Sequence, residues 1–438
     1  MARALYTLAW WTLLPFVPLR LWWRGRREPL YREAIGERFG RYSRHALRET
    51  GDDVLWIHAV SLGETRAAAP LVEHVLRERP GTRILLTSMT ASGREAARSL
   101  YGDRVVRAWL PYDVPFAIDA FLDRFAPRAG ILVETELWPN LVAACARRAI
   151  PVYLVNARMS ERSARGYARF AALTRPMFEA LAGVAAQTAA DASRLSALGV
   201  RDIEVTGSIK FDVDVPAALL ERGTALREAI GRDRPVWLAA STREGEETLI
   251  LDALLRAPAS DALLLLVPRH PQRFDEVASL LRMRDIPFVR RSQAVAIPRT
   301  TPVILGDTMG EMLAYCTASD VAFVGGSLLP LGGQNLLEPL AVGVPTLVGP
   351  HTFNFAEVTE LAIDARAALR VRDADALLFE VAMLLGDAET RKHMREAAGR
   401  FMSEHRGAAQ RLWQWLAPKL DRPRPATGID GISPTGGG

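Results

Sequence analysis

From Val54 onward the chain alternates short apolar runs with longer stretches of helical spacing, and it does so twice. No other feature limits the possible folds as much. Before residue 207 the apolar runs are Val54–Val60, Ile84–Ser88, Val105–Trp109, Gly130–Val133, Val152–Val155, Val184–Gln187 and Ile203–Thr206. Several are apolar at every position, as strands are when both faces are covered. Between them lie helix-like stretches such as Thr65–Arg79 and Pro139–Arg148. In the first, Ala68, Leu71, Val72, Val75 and Leu76 form one apolar stripe. Such alternation predicts a parallel, doubly wound sheet.

The pattern breaks at "GSIKFDVDVP", Gly207 to Pro216, and then restarts with Val236–Ala240, Ala262–Val267, Val303–Leu305, Val321–Val324 and Thr346–Val348. Two α/β domains of similar size are expected. The predicted layout is a leading segment 1–27, a Rossmann-like domain 28–207, a linker 208–216, a second Rossmann-like domain 217–420 and a tail 421–438. The tail is rich in Pro and Gly, a composition that stays disordered. Ligands of such sheets bind at the C-terminal ends of the strands. The polar and Gly-rich turns there are therefore the candidate sites.

Charge is placed unevenly. The net charge is +5, but residues 1–49 hold ten Arg against four acidic residues, leaving −1 for all the rest. A basic excess confined to one end does not mark a general nucleic-acid binder. The same end reads "MARALYTLAWWTLLPFVPLRLWWRGRR". A spanning helix needs about 20 apolar residues; the uncharged run Ala4–Leu19 falls short, and Pro15 and Pro18 bend it. Trp10, Trp11, Trp22 and Trp23 suit a membrane interface, and Arg20, Arg24, Arg26 and Arg27 suit anionic headgroups. We expect a membrane-anchoring or membrane-associating segment with the rest of the chain on the cytoplasmic side; a buried N-terminal helix is the alternative. No small-residue cleavage site follows the apolar run, so a removed signal peptide is not expected. Cys145 and Cys316 are far apart, which gives neither a disulfide framework nor a metal spacing.

Five turns can carry chemistry. In "SLGE" Glu64 sits where a strand gives way to a helix, as a first-turn anion or as a base. In "ILVETELWPN" Glu134 and Glu136 follow a strand and precede Trp138-Pro139. In "VTGSIKFD" stands Lys210, one of three Lys beside 52 Arg, whose compact charge is not interchangeable with Arg. Asp212 and Asp214 follow it; a DxD pair can hold a cation, but a solvated linker explains them better. "LLLLVPRHPQRF" delivers Pro268, Arg269 and His270 to a strand end, where Arg269 can pair with a phosphate or carboxylate. The fifth is a pair, "LGDTMGEML" and "FVGGSLLPLGGQNLLEPLAVGVPTLVGP", with Gly and small polar residues at helix starts that suit a phosphate. Their spacing is neither GxGxxG nor GxxxxGK[ST], and GxSxG, HExxH and CxxC are absent.

Taken together, "HAVSLGE", "LVETELWPNL", "VNARMSERS", "GSIKFD", "VPRHP", "GDTMGEM" and "GGSLLPLGGQNLLEP" resemble one family, the bacterial 3-deoxy-D-manno-octulosonic acid (Kdo) transferases of lipopolysaccharide assembly. The motifs run in order from His58 to Pro339, within a resemblance that covers nearly the whole chain. The resemblance implies a GT-B glycosyltransferase fold, two facing Rossmann-like domains, with the N-terminal membrane-associated helical segment fitting as well. It implies CMP-Kdo as donor and the anionic tetraacyldisaccharide bisphosphate precursor of lipid A as acceptor, at the cytoplasmic face of the inner membrane. By the same resemblance Glu64 matches the proton acceptor, and Glu134 and Lys210 match the residues assigned to transition-state stabilisation. Pro268 and Arg269, then Met309, Gly310 and Glu311, then Asn335, Leu336, Leu337 and Glu338, match the CMP-contacting segments. Ser208 stands where the family often has Asn. No cofactor and no metal are expected, because CMP leaves with a single phosphate. The alternatives are a GT-B transferase or epimerase using a UDP-sugar, which would bind UDP more tightly than CMP, and a scaffold that binds acceptor without turnover.

Overall fold

The computed structural model describes residues 1–26, 28–43, 53–257, 260–293 and 295–421. Arg27 and the tail from 422 lie outside these residues. The chain forms two compact units, Met1–Asp212 with Gly407–Gly438, and Val213–Arg406.

The first unit is built on a seven-stranded sheet of β1 (Asp53–His58), β2 (Thr82–Ser88), β3 (Val106–Trp109), β4 (Ala129–Val133), β5 (Val152–Ala157), β6 (Gly183–Ala186) and β7 (Ile203–Val205). The order is β3-β2-β1-β4-β5-β6-β7, with every pairing parallel. Each of the seven apolar runs became one of these strands. Strand order reverses between β1 and β4, the place where doubly wound sheets bind ligands. Trp56 of β1 lies across Gly130 of β4, where a Cβ would come within 2.7 Å of the indole. Only Gly lets these two strands pair there.

The expected helix Thr65–Arg79 is two, Leu62–Ala67 and Ala69–Glu78. Pro70 has no N–H to continue the first ladder and starts the second helix instead.

The second unit holds β8 (Val236–Thr242), β9 (Leu263–Pro268), β10 (Phe288–Arg290), β11 (Val303–Leu305), β12 (Val321–Val324), β13 (Thr346–Val348) and β14 (Ala368–Arg370). Their order is β10-β11-β9-β8-β12-β13-β14, again parallel throughout. Here the reversal lies between β8 and β12. Sequence reading missed β10 and β14. Both are three-residue edge strands without a fully buried run, so they lack the apolar signature of the central strands.

The expected boundary at 420 needs correction. The helix Ala408–Leu420 does not close the second unit. Its stripe Ala408, Ala409, Leu412, Trp413, Leu416 and Leu420 completes the core around Leu71, Val72 and Val75 of the first. Asp212 caps it, accepting from Gly407 N at 2.6 Å and Ala409 N at 2.5 Å. Asp212 is thus a helix cap and not a solvated linker residue.

The leading segment is a helix Ala2–Leu13, a turn Leu14–Phe16 and a helix Val17–Arg24. Among the described residues no helix is long and apolar enough to cross a membrane. One face docks on the first unit: Asn140 Nδ2 donates to Thr7 Oγ1 at 3.0 Å, Trp10 meets Tyr112 and Trp138, and Val17 and Leu21 are buried. The other face exposes Leu5, Leu8, Trp11, Leu13, Phe16, Leu19, Trp22 and Trp23.

Candidate active site

In the first unit the sequence fixes the turn after β1 locally. Ser61 caps the helix Leu62–Ala67, and Glu64 stands three residues on, the spacing of a capping box. Ser61 Oγ donates to Glu64 Oε1 at 2.8 Å, and Val60 N donates to Oε2 at 2.7 Å. The carboxyl is thereby aimed. Burial raises its pKa above the ordinary value, against the lowering effect of those two hydrogen bonds. Of the charged neighbours, Glu134 adds to the rise and Lys210 opposes it. A helix start alone would favour the carboxylate form; desolvation wins, which makes Glu64 a stronger base than its place in the sequence suggests.

Glu134 follows β4, the other strand at the reversal. It takes a left-handed conformation, φ 61°, unusual for a side chain of this kind and a mark of functional turns. Its Oε1 lies 2.7 Å from Lys210 Nζ. Asn156, at the end of β5, accepts from Ile209 N through Oδ1 at 3.1 Å and so fixes the turn that carries Lys210. The three residues expected from the first unit thus lie in one electrostatic cluster.

Glu136, named with Glu134 in the same turn but given no role by the resemblance, belongs to that cluster too. Its pKa is pushed up to about 7 by burial and by the charges of Glu64 and Glu134. The signal was available: two carboxylates stand two residues apart at one strand end, and Glu136 N donates to Glu134 O at 3.0 Å in the tight turn they share. His58, in "HAVSLGE", is fully buried, its Nδ1 2.9 Å from Thr87 Oγ1. Burial pulls its pKa down to about 4, so it is neutral at pH 7.

Glu136 makes stability depend on pH. Its folded pKa lies above the unfolded value, so the folded state binds more protons between the two. Stability from this group therefore falls as pH rises through about 7. Glu136→Gln should melt higher than the parent at pH 8, by about 2–4 °C per kcal/mol recovered, and the gain should vanish by pH 4. Thermal melts at the two pH values check this; equal shifts at both would contradict it.

In the second unit the expected segments follow β9, β11 and β12 at the C-terminal ends of these parallel strands. Pro268 ends β9 and is buried. Arg269 N donates to Thr242 O at 2.9 Å and its Nε to Gln334 Oε1 at 3.2 Å, which joins the β9 turn to the β12 turn. Arg243, Arg269 and Arg273 all lower the pKa of His270, after burial, so this end is cationic. After β11, Met309 is exposed and Gly310 has φ 77°. Glu311 accepts from Thr308 Oγ1 at 2.6 Å. Asn335 Oδ1 accepts at 3.1 Å from the N–H of Leu337, the first residue of the short helix Leu337–Ala341, which carries Glu338 in its first turn.

One expectation fails here. The Gly325-Gly326-Ser327 turn does not offer its N–H groups to a phosphate. Gly326 N, Ser327 N and Leu328 N donate to the Glu246 carboxylate at 2.5, 2.9 and 2.9 Å, and Arg243 N joins them at 2.9 Å. Glu246 is fully buried. Sequence reading passed over "REGEE" because acidic residues at a helix start read as ordinary first-turn anions.

Residues 33–213 match the family model described as "3-Deoxy-D-manno-octulosonic-acid transferase (kdotransferase)". The chain is 46% identical to a 3-deoxy-D-manno-octulosonic acid transferase of Bordetella pertussis, over 95% of this chain and 100% of that one. It is 40% identical to the protein of the same name in Haemophilus influenzae, over 90% and 93%. Among solved structures, a glycosyltransferase from Rickettsia africae aligns at TM-score 0.54 and 14% identity over 85% of this chain and 99% of that one, a likeness of fold.

Proposed function

The chain belongs to the 3-deoxy-D-manno-octulosonic acid transferase family, and from that premise we propose that it moves Kdo from CMP-Kdo to the tetraacyldisaccharide bisphosphate precursor of lipid A, inverting the anomeric carbon. The observation that carries the reading is Glu64, a carboxyl aimed by its own capping box, raised in pKa and within electrostatic reach of the Glu134–Lys210 pair.

An acceptor hydroxyl must lose its proton as it attacks. Glu64 takes that proton. The new bond forms from the acceptor oxygen to the anomeric carbon, and the bond from that carbon to the phosphate oxygen breaks, releasing CMP. Lys210, held by Glu134, faces the negative charge of the reacting sugar, which carries a carboxylate of its own. Arg269 and the cationic end around His270 take the phosphate. Pro268, Met309, Gly310, Glu311, Asn335, Leu336, Leu337 and Glu338 hold the nucleotide. One phosphate leaves, so these groups suffice without a metal or cofactor. The two Rossmann-like units fit the GT-B plan.

Incubation of the pure protein with CMP-Kdo and the tetraacyl acceptor should release CMP and add Kdo mass to the lipid. Absence of both would overturn the assignment. Calorimetry gives a second check: tighter binding of UDP than CMP would replace CMP-Kdo by a UDP-sugar.

We also propose that residues 1–26 lie on the cytoplasmic surface of the inner membrane, not across it. The exposed apolar face supports this, flanked by Arg20, Arg24 and Arg26. A Trp22→Ala, Trp23→Ala protein should bind vesicles of phosphatidylethanolamine with phosphatidylglycerol at least tenfold more weakly, since each aromatic buried contributes about 1.5–3 kcal/mol. Unchanged sedimentation with vesicles would count against it.

A further inference from the structure

We propose that a groove in the first unit, between the N-terminal helix and the helices Glu161–Arg169 and Ala171–Glu179, seats one acyl chain of the acceptor lipid; this rests on the function proposed above. The groove has a volume of about 530 Å³, within the range of small-molecule sites. Leu137, Trp138, Pro139, Phe170, Leu173 and Met177 line it, a surface for an apolar occupant.

Its position argues for a chain attached to the reacting sugar. Leu137, Trp138 and Pro139 directly continue the turn that carries Glu134 and Glu136. Tyr167 is also in the wall, and its hydroxyl feels the charge of Glu136. Glu136 in turn feels Glu64 and Glu134. A lipid whose hydroxyl meets Glu64 thus finds an apolar channel beside the same carboxylates.

Two further observations point to an occupant. Trp138 Nε1 is buried with no hydrogen-bond partner among the described residues. Leaving such a donor unmet costs about 1–3 kcal/mol, and the ester or amide carbonyl of an acyl chain would satisfy it. Tyr6 closes the opposite side from the N-terminal helix, whose outer face is the exposed apolar one. A chain leaving a bilayer would enter the groove past that helix without crossing water.

Gly166 supplies the test. It lines the groove, and a Cβ built there meets nothing within 4 Å. Gly166→Leu therefore adds apolar bulk at the groove wall from a Cβ that meets no neighbour, and it replaces a helical Gly with a better helix former. With CMP-Kdo and the tetraacyl acceptor, the variant should raise the acceptor KM at least tenfold, with kcat and the donor KM within twofold of the parent. An unchanged acceptor KM, or donor and acceptor KM rising together, would overturn the proposal. Failure of the parent protein to turn over would instead remove the Kdo transfer reading. A second measurement needs neither turnover nor a variant. A tetraacyl acceptor with a diazirine at a chain end, irradiated with the parent protein, should label the peptide holding Phe170, Leu173 and Met177. Label confined to the Trp22–Trp23 segment would overturn the proposal.

Discussion

Glu64→Gln should lower kcat by about 10²–10⁴, the usual contribution of a positioned base, while leaving the melting temperature within a degree or so. The two halves of that result come from one geometry. Glu64 Oε2 accepts from Val60 N, and Oε1 accepts from the Ser61 hydroxyl. A Gln side chain can keep both contacts: its carbonyl oxygen takes the Val60 N–H, and its amide donates to Ser61 Oγ. The capping box survives and the base does not. Glu64→Ala loses both and should also destabilise by about 0.5–2 kcal/mol, as lost caps do. In the parent enzyme, kcat/KM should fall tenfold per pH unit below the Glu64 pKa, because only the ionised form accepts a proton. Burial raises that pKa, so the acid limb should lie above the range of a free carboxylate and be missing in Glu64→Gln. Rate profiles from pH 5 to 9 measure this. A Gln variant that turns over like its parent would end the base assignment.

The largest effect on stability should come from Glu246. Its fully buried carboxylate collects four backbone N–H groups, from Arg243, Gly326, Ser327 and Leu328. Glu246→Ala leaves four donors unmet, each worth about 1–3 kcal/mol. Partial rehydration would soften this, so a net loss on the order of 3–5 kcal/mol is expected. Here Gln should not rescue. Two donors meet each carboxylate oxygen, so either orientation of the amide sets its NH₂ against two N–H groups. Both variants should melt on the order of 10 °C lower and lose CMP affinity, because the turn they release joins Arg269 through Gln334. Calorimetric melts and CMP titration check this; a Gln variant as stable as the parent would disprove the four-donor arrangement.

The contrast between these two glutamates shows what could be read from sequence. Glu64 makes its contacts within four residues, so "SLGE" told most of its story. Glu246 meets a turn 80 residues away, and nothing in "REGEE" announces that partner. The same distinction holds for the fold. Central strands such as Ile131–Val133 and Leu263–Val267 are buried on both faces and stand out as apolar runs. The edge strands β10 and β14 do not. The Ala408–Leu420 helix was recognisable as amphipathic, but the stripe does not say which core it joins. Glu134 with Lys210 was named through a family likeness; their contact joins residues far apart in sequence, which only the fold brings together.

That final helix has a consequence for how the chain is made. The second unit is, in order of synthesis, an insertion between the first unit's last strand and its last helix. A ribosome adding about 5–20 residues per second leaves Leu71, Val72 and Val75 without their cover for roughly 10–40 s while residues 213–406 emerge. The later unit can therefore reach its native state before the earlier one is complete. A nascent chain stopped after residue 406 has emerged but before residue 408 should carry a finished second unit beside a first unit still open to chaperones and proteases.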